Sequence, residues 1–503
     1  MADYFYIYHF KVQPVKPFPG RMHNTRLIAA LRTFSEKEMK QFEKWMSSPL
    51  HNTNVALQEL THYLAPHHPA FDHSDIEKEK IASHLYPGEP YNDARMRNLG
   101  SDLQEQAEDF LVWVNVNREQ VMREQLLLNE LNRRKLGPLF ISQLRETRAA
   151  LKNSGLNMLN WTLQNFLVDR EEYTYHYTSN FGRVYKAFNK FDSKKMIRSA
   201  TDLYLSNLLY YYHVTLDNER IFGKKGYPFE RLEQLAEELY RETGQTNILT
   251  SAYLKVIRLL RSGNEKYFHE LKKELQRKEF DALYDHDRQS VVTVLTNYAL
   301  RQHLMGKKEF MKELLELSQV ALDKKLCFRD GHISHIFFFN YTYYFVSIGK
   351  TDEARKFVSR YRDYLQPELK ESTLQYSMAY IYLGEKKYSD ALVALNKVSY
   401  DTPQRFIGIK NTLLKIYFEK NDLEPISFLV DSIRHKLSGA AFLSDYYQEA
   451  EKNFLHCYNI LLKARGKGPH VSKKQLAELR KKLSETGYIF HREWLGEMLQ
   501  SLN

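Results

Sequence analysis

Apolar residues recur at three- and four-residue spacing along most of this chain, with no sustained run of strict alternation. That period predicts helices rather than strands. It is most regular in two successive stretches, 335–368 and 372–405. In the first, Tyr341, Thr342 and Phe345 precede a Gly349-Lys350 turn, and Ala354, Val358 and Tyr361 follow it. In the second, Met378, Ala379 and Tyr382 precede Gly384, and Ala391, Leu395, Val398 and Pro403 follow. Ala354 and Ala391 stand 37 positions apart, a period suited to repeats of two helices. A third unit over 406–439 keeps Leu413, Ile416 and Leu429 but has Pro425 at the crossing alanine. An upstream unit has Ala299 and Leu315, with Met311 at the crossing. Breaks at Gly137-Pro138, Gly155, Gly244, Gly263 and Gly306 extend the rhythm upstream, as a series of helical hairpins requires.

The amino-terminal region carries explicit helix-start signals. Ser35 and Glu38 form a capping box, with Phe34 and Met39 at the staple positions, which starts a helix that Pro49 ends. Helices over 54–64 and 74–86 should follow, the second opened by Ser74 and Glu77. Asn92 or Asp93 caps a long helix bearing Met96, Leu99, Leu103, Phe110, Leu111 and Val114. Residues 1–21, with Pro14, Pro17 and Pro19, lack helical period and are expected to be an unpacked extension, and Met22 is a second candidate start. The expected organisation is an amino-terminal helical domain over 22–120, helical hairpins over 121–462, and a basic linker with capping helices over 463–503. Ile489, Phe490, Trp494, Leu495, Met498 and Leu499 would cover the exposed hydrophobic end of such a stack.

Composition supports this all-α picture and narrows the compartment. At 503 residues the chain exceeds one ordinary core and needs several domains or a linearly growing stack. Glycine and proline number only 20 and 14, while 35 tyrosines and 29 phenylalanines supply rings for interhelical space. Cys327 and Cys457 alone cannot make a disulfide framework. No signal-peptide pattern leads the chain and no apolar window spans a bilayer, so a cytoplasmic protein with no membrane partner is expected. The net charge of +11 is spread among acidic residues, as on a solvated helical surface. One local excess, over 463–482, holds eight Lys or Arg against Glu478. There Ser472 and Gln475 would cap a helix whose Leu476, Leu479 and Leu483 face inward. Lys473, Lys474, Arg480 and Lys481 are then a candidate patch for an anionic partner, set against the plainer role of a solvated face.

Signatures of chemistry fail on inspection. Gly349-Lys350-Thr351 imitates a phosphate loop, but Tyr344 stands where its first glycine belongs, and no strand precedes it. Gly466-Lys467-Gly468 has Val471 at the third glycine of a dinucleotide fingerprint. His62, His67, His68 and His73 lack a cysteine to complete a tetrahedral set, and His332 and His335 lack an acidic ligand. His456 and Cys457 are adjacent and so point apart on a helix. No catalytic residue, metal site or cofactor is expected, and the chain does not read as an enzyme.

The pattern Phe34-Ser-x-x-Glu38, Ser48-Pro49-x-x-Asn52-x-Asn54 and Tyr86-Pro87-Gly88-x-x-Tyr91-Asn92-Asp93 resembles the amino-terminal part of bacterial helical-repeat proteins. Those proteins have no established activity to carry over. The hairpins over 335–405 resemble tetratricopeptide units, which implies a right-handed α-solenoid. In that family the inner helix of each hairpin lines a concave groove. The matching positions here are Phe339 and Tyr343, Tyr376 and Tyr380, and Lys410 and Leu414, a candidate groove for an extended or helical peptide. The alternative is that a tight stack packs these rings internally. The family's clamp for carboxylate tails is not reproduced. A fainter resemblance, carried by Ile81-Ala-Ser-His-Leu-Tyr-Pro-Gly and Asp93-Ala-Arg-Met-Arg-Asn-Leu, is to the helical junction of some bacterial transcriptional activators. It would put Arg95 and Arg97 on phosphates, though no recognition helix or wing is evident. The expected function is a protein-interaction scaffold with an unidentified protein or peptide partner. A nucleic-acid-linked regulator is the less favoured alternative.

Overall fold

The computed structural model describes residues 25–71, 76–156, 158–179, 193–222, 230–242, 248–281, 283–399, 402–439, 443–465, 473–485 and 487–501. Among them it is all-helical, with 24 α-helices and a single antiparallel pair of two-residue strands. No helix among the described residues is long and apolar enough to cross a membrane. The chain divides into two compact units, 25–154 with 170–179, and 155–169 with 193–501. This places the residues between 121 and 154 with the amino-terminal helices rather than with the hairpins.

The first unit contains α1 (Arg26–Leu31), α2 (Glu36–Met46), α3 (Val55–Leu64), α4 (Lys78–Leu85), α5 (Asp93–Arg118), α6 (Gln120–Arg133), α7 (Gly137–Lys152) and the end of α8 (Met158–Ser179). The capping box forms as expected: the Glu38 amide donates to Ser35 Oγ at 3.2 Å and the Ser35 amide to the Glu38 carboxylate at 2.7 Å. The Ser35 amide, and after it the Ser35 hydroxyl, donate to the Glu38 carboxylate and hold it below its usual pKa. Asn54 caps α3 and Asn92 caps α5 through their side-chain oxygens. α4 begins later than expected, at Lys78 with Glu77 as its cap, and Ser74 lies outside the described residues. Phe34, Phe42 and Phe110 meet ring to ring at 5.3–5.6 Å and centre this unit's core.

The second unit begins with the 158–169 part of α8 and α9 (Ser193–Phe222), α10 (Glu230–Glu242), α11 (Ile248–Ser262), α12 (Glu265–Glu274) and α13 (Lys278–Asp281). Paired helices follow: α14 (Asp285–Leu304) with α15 (Phe310–Asp323), α16 (His335–Ser347) with α17 (Thr351–Tyr361), α18 (Pro367–Gly384) with α19 (Tyr388–Leu395), and α20 (Pro403–Lys420) with α21 (Ile426–Ser438). Strands β1 (Phe328–Arg329) and β2 (His332–Ile333) lie between α15 and α16. Last come α22 (Asp445–Arg465), α23 (Lys473–Ser484) and α24 (Arg492–Gln500). Within each pair the two helices pack together, and each pair packs on the next; α22 packs on α9. Ala354 and Ala391 are fully buried at the crossings, as their spacing predicts.

The α16–α17 and α18–α19 pairs end their first helices differently. Gly349 follows α16 at φ +77°, the left-handed conformation that glycine adopts without a Cβ clash. Gly384 stays inside α18, and Lys386 takes the left-handed position at φ +60°. A Cβ on Gly384 would lie 2.8 Å from Val346 Cγ1 and 3.0 Å from Thr351 Cγ2. Gly384 therefore serves close approach to the preceding hairpin, not the turn.

Candidate functional site: the face beneath the last helix

The candidate groove residues form a packed seam rather than an open surface. Phe339 of α16 stacks on Tyr376 of α18 with ring centroids 4.1 Å apart and an interplanar angle of 9°. Tyr380 stands edge-on to Phe339 and to Tyr343, each at 5.2 Å, and its hydroxyl accepts a bond from Thr412 at 3.1 Å. These four rings and Leu414 are all buried. Burial also raises the Tyr343 hydroxyl pKa. Lys410 is half-buried, with its ammonium 5.5 Å from the Phe406 ring. The expected groove is thus corrected to core. α16 and α18 pack directly on each other, and rings between touching helices have no face left for a ligand.

The segment expected to cover the end of the stack packs on α22 and α23 and also reaches back to α14. The Ile489 amide donates to the Leu304 carbonyl at 3.1 Å and the Phe490 amide to Ala450 at 3.3 Å. The Arg492 guanidinium donates to the carbonyls of Leu483, Glu485, Gly487 and Leu304. Leu304 ends α14, where helical carbonyls have no partner of their own, so α24 is tied back to a hairpin far upstream in sequence.

Residues of α14, α19, α20 and α22 gather beneath α24. Trp494 is its anchor. The indole Nε1 donates to Glu419 at 2.6 Å, and the other Glu419 oxygen accepts the Tyr388 hydroxyl at 2.7 Å. Tyr458 stacks on the indole at 6.1 Å and 17°, while Phe418 meets it edge-on at 5.5 Å. The Lys415 ammonium lies 5.7 Å from the indole ring. Burial lowers the Lys415 pKa to about 8, against the opposing fields of Glu419, Glu497 and Glu493. His303 of α14 sits 3.7 Å from Glu493; desolvation lowers its pKa, and Glu493 opposes the shift. His491 is held well below the usual imidazole range by burial and then by Lys415.

A second buried polar pair lies between α20 and α22. Asn411 Nδ2 donates to Glu451 Oε2 at 2.8 Å, and burial pushes the Glu451 pKa up to about 8. Glu451 Oε1 and Asn411 Oδ1 are both buried without a partner. A protonated Glu451 supplies a donor from one such oxygen to the other, giving the two-bond geometry of an acid–amide pair.

The spacing pointed to Lys410 and Leu414 on α20; the polar face is one residue on, at Asn411, Lys415 and Glu419. Polar residues at every fourth position of a helix otherwise rich in Leu413, Leu414 and Ile416 were the available signal.

The remaining candidates resolve locally. Lys474, Arg480 and Lys481 are exposed on α23, with Lys481 3.7 Å from Glu485, and Leu479 is buried beneath them. The Lys473 side chain and Ser472 lie outside the described residues. Arg95 pairs with Glu89 at 2.7 Å and lies over the Tyr86 ring, and Arg97 pairs with Asp93 at 3.0 Å. His68 Nε2 bonds the Phe34 carbonyl at 2.7 Å. Among the described residues no three His, Cys, Asp or Glu side chains gather as metal ligands. Cys327 and Cys457 are buried free thiols, pushed up to about 12 and about 11 by burial. No protein-family model, curated protein or solved structure matches the chain.

Proposed function

We propose that the protein is a non-enzymatic interaction scaffold of the cytoplasm, an α-solenoid of tetratricopeptide-like hairpins whose inner face holds a helical protein segment. The observation that carries this reading is α24 itself. A nine-residue helix is marginal alone in water, so its place depends on the surface that receives it. That surface supplies an aromatic pocket for Trp494, an acceptor for its indole N–H and a buried cation near its carboxylates. Such pockets are what interfaces use to hold a helix. The buried free thiols are in keeping with a reducing compartment.

Affinity capture of the full chain from its own cells tests the scaffold reading. The expected result is the same stoichiometric protein partner in independent preparations, retained after nuclease treatment. Recovery of the chain alone, or loss of every partner to nuclease, overturns it. The second outcome would move the exposed basic face of α23 to the front.

A further inference from the structure

We propose that the face beneath α24 is an exchangeable docking site, and that its partner presents an acidic amphipathic helix with a tryptophan anchor. This rests on the scaffold reading and names the partner's chemistry. The resident helix shows what the site accepts: Trp494, Leu495 and Leu499 point inward and are buried, and Glu493 and Glu497 act on Lys415 and, for Glu493, on His303.

Lys415 separates this face from ordinary core. Its side chain is buried, and its ammonium lies 5.7 Å from the indole ring. Glu419, the nearest acidic residue on its own helix, is already bonded to Trp494 and Tyr388. A permanent core gains by an apolar residue at such a position. A recognition surface gains by keeping the cation, because it selects an acidic helix and rejects a basic one. The site is also graded along its length. The indole is gripped by a hydrogen bond and two rings, while the carboxylates act through their fields. The aromatic side chain therefore sets affinity and the charges set partner choice.

The test adds a fluorescein-labelled peptide of residues 487–503 to the full-length chain and to its Leu495→Ala variant, reading anisotropy. Saturable binding is expected for both, about tenfold tighter to the variant, whose resident helix is weakened. A Trp494→Ala peptide should bind about 30-fold more weakly. A Glu493→Lys, Glu497→Lys peptide should lose about tenfold, and Lys415→Met in the chain should erase that loss. Absence of binding to a variant with native helical circular dichroism overturns the proposal, as does equal binding of the Trp494→Ala peptide. Hydrogen exchange on the unmodified chain decides the matter if the variant does not fold. Amides of α24 should exchange faster than those of α20, and equal protection refutes exchange. A captured partner that the peptide does not displace sinks this proposal and leaves the scaffold reading standing.

Discussion

The seam between α16 and α18 and the face beneath α24 are built from similar rings to different ends. In the seam, Phe339, Tyr343, Tyr376 and Tyr380 pack against one another, and the Tyr380 hydroxyl is satisfied internally by Thr412. Beneath α24, aromatic rings are joined by Lys415, Glu419 and His303, and the Trp494 side chain packs on them. Aromatic density alone therefore marks core. The proposed docking face differs from it in combining aromatics with buried ionisable groups.

The largest expected difference comes from cutting a ring out of the seam. Tyr380→Ala should cost about 3–5 kcal/mol, because Tyr380 meets three rings and a threonine inside packed helices. Urea unfolding measures this, and an unchanged midpoint would mean that the seam is not core.

A second effect sets the buried carboxyl of α20–α22 apart. Glu451 has its pKa raised to about 8 from 4.5, so the folded chain holds a proton that the unfolded chain has released between those values. Stability should then be highest below about pH 4.5 as far as this group is concerned, and fall as pH rises to about 8, by at most about 1.4 kcal/mol per pH unit. Glu451→Gln keeps the two-bond geometry without titrating. Unfolding across pH 5–9 should show the slope reduced in that variant, and an identical slope would place the titration elsewhere.

Close packing predicts a third, smaller loss. Gly384→Ala puts a methyl against Val346 and Thr351 and should cost about 1–3 kcal/mol, whereas a turn glycine lost at Gly349 would act through backbone strain at φ +77°. Thermal unfolding of both variants compares the two roles. The smallest effect sharpens the reading of the face beneath α24. Trp494→Phe keeps a ring against Phe418 and Tyr458 but removes the bond to Glu419, a loss of about 1–2 kcal/mol. A neutral result would make the indole N–H incidental.

Much of the local architecture was legible. Ser35 with Glu38, Asn54 and Asn92 announced three helix starts through short-range bonds, and Ala354 with Ala391 announced the hairpin crossings. These features depend on residues within a turn or a repeat of one another. The start of α4 was less legible: the helix runs from Lys78 with Glu77 at its cap position, and Ser74 lies outside the described residues. Family spacing pointed to Lys410 and Leu414, while the polar contacts of α20 with α22 and α24 lie one residue on, at Asn411, Lys415 and Glu419.

By itself the sequence determined an all-helical chain, its caps and the period of its hairpins, because helix formation and hairpin crossing are governed by neighbours in sequence. Tertiary structure alone decided that the aromatic ladder is core and that α24 reaches back to Leu304. Both outcomes depend on how successive hairpins stack and what fills their inner side, and burial set by partners tens to hundreds of residues away leaves no local pattern to read.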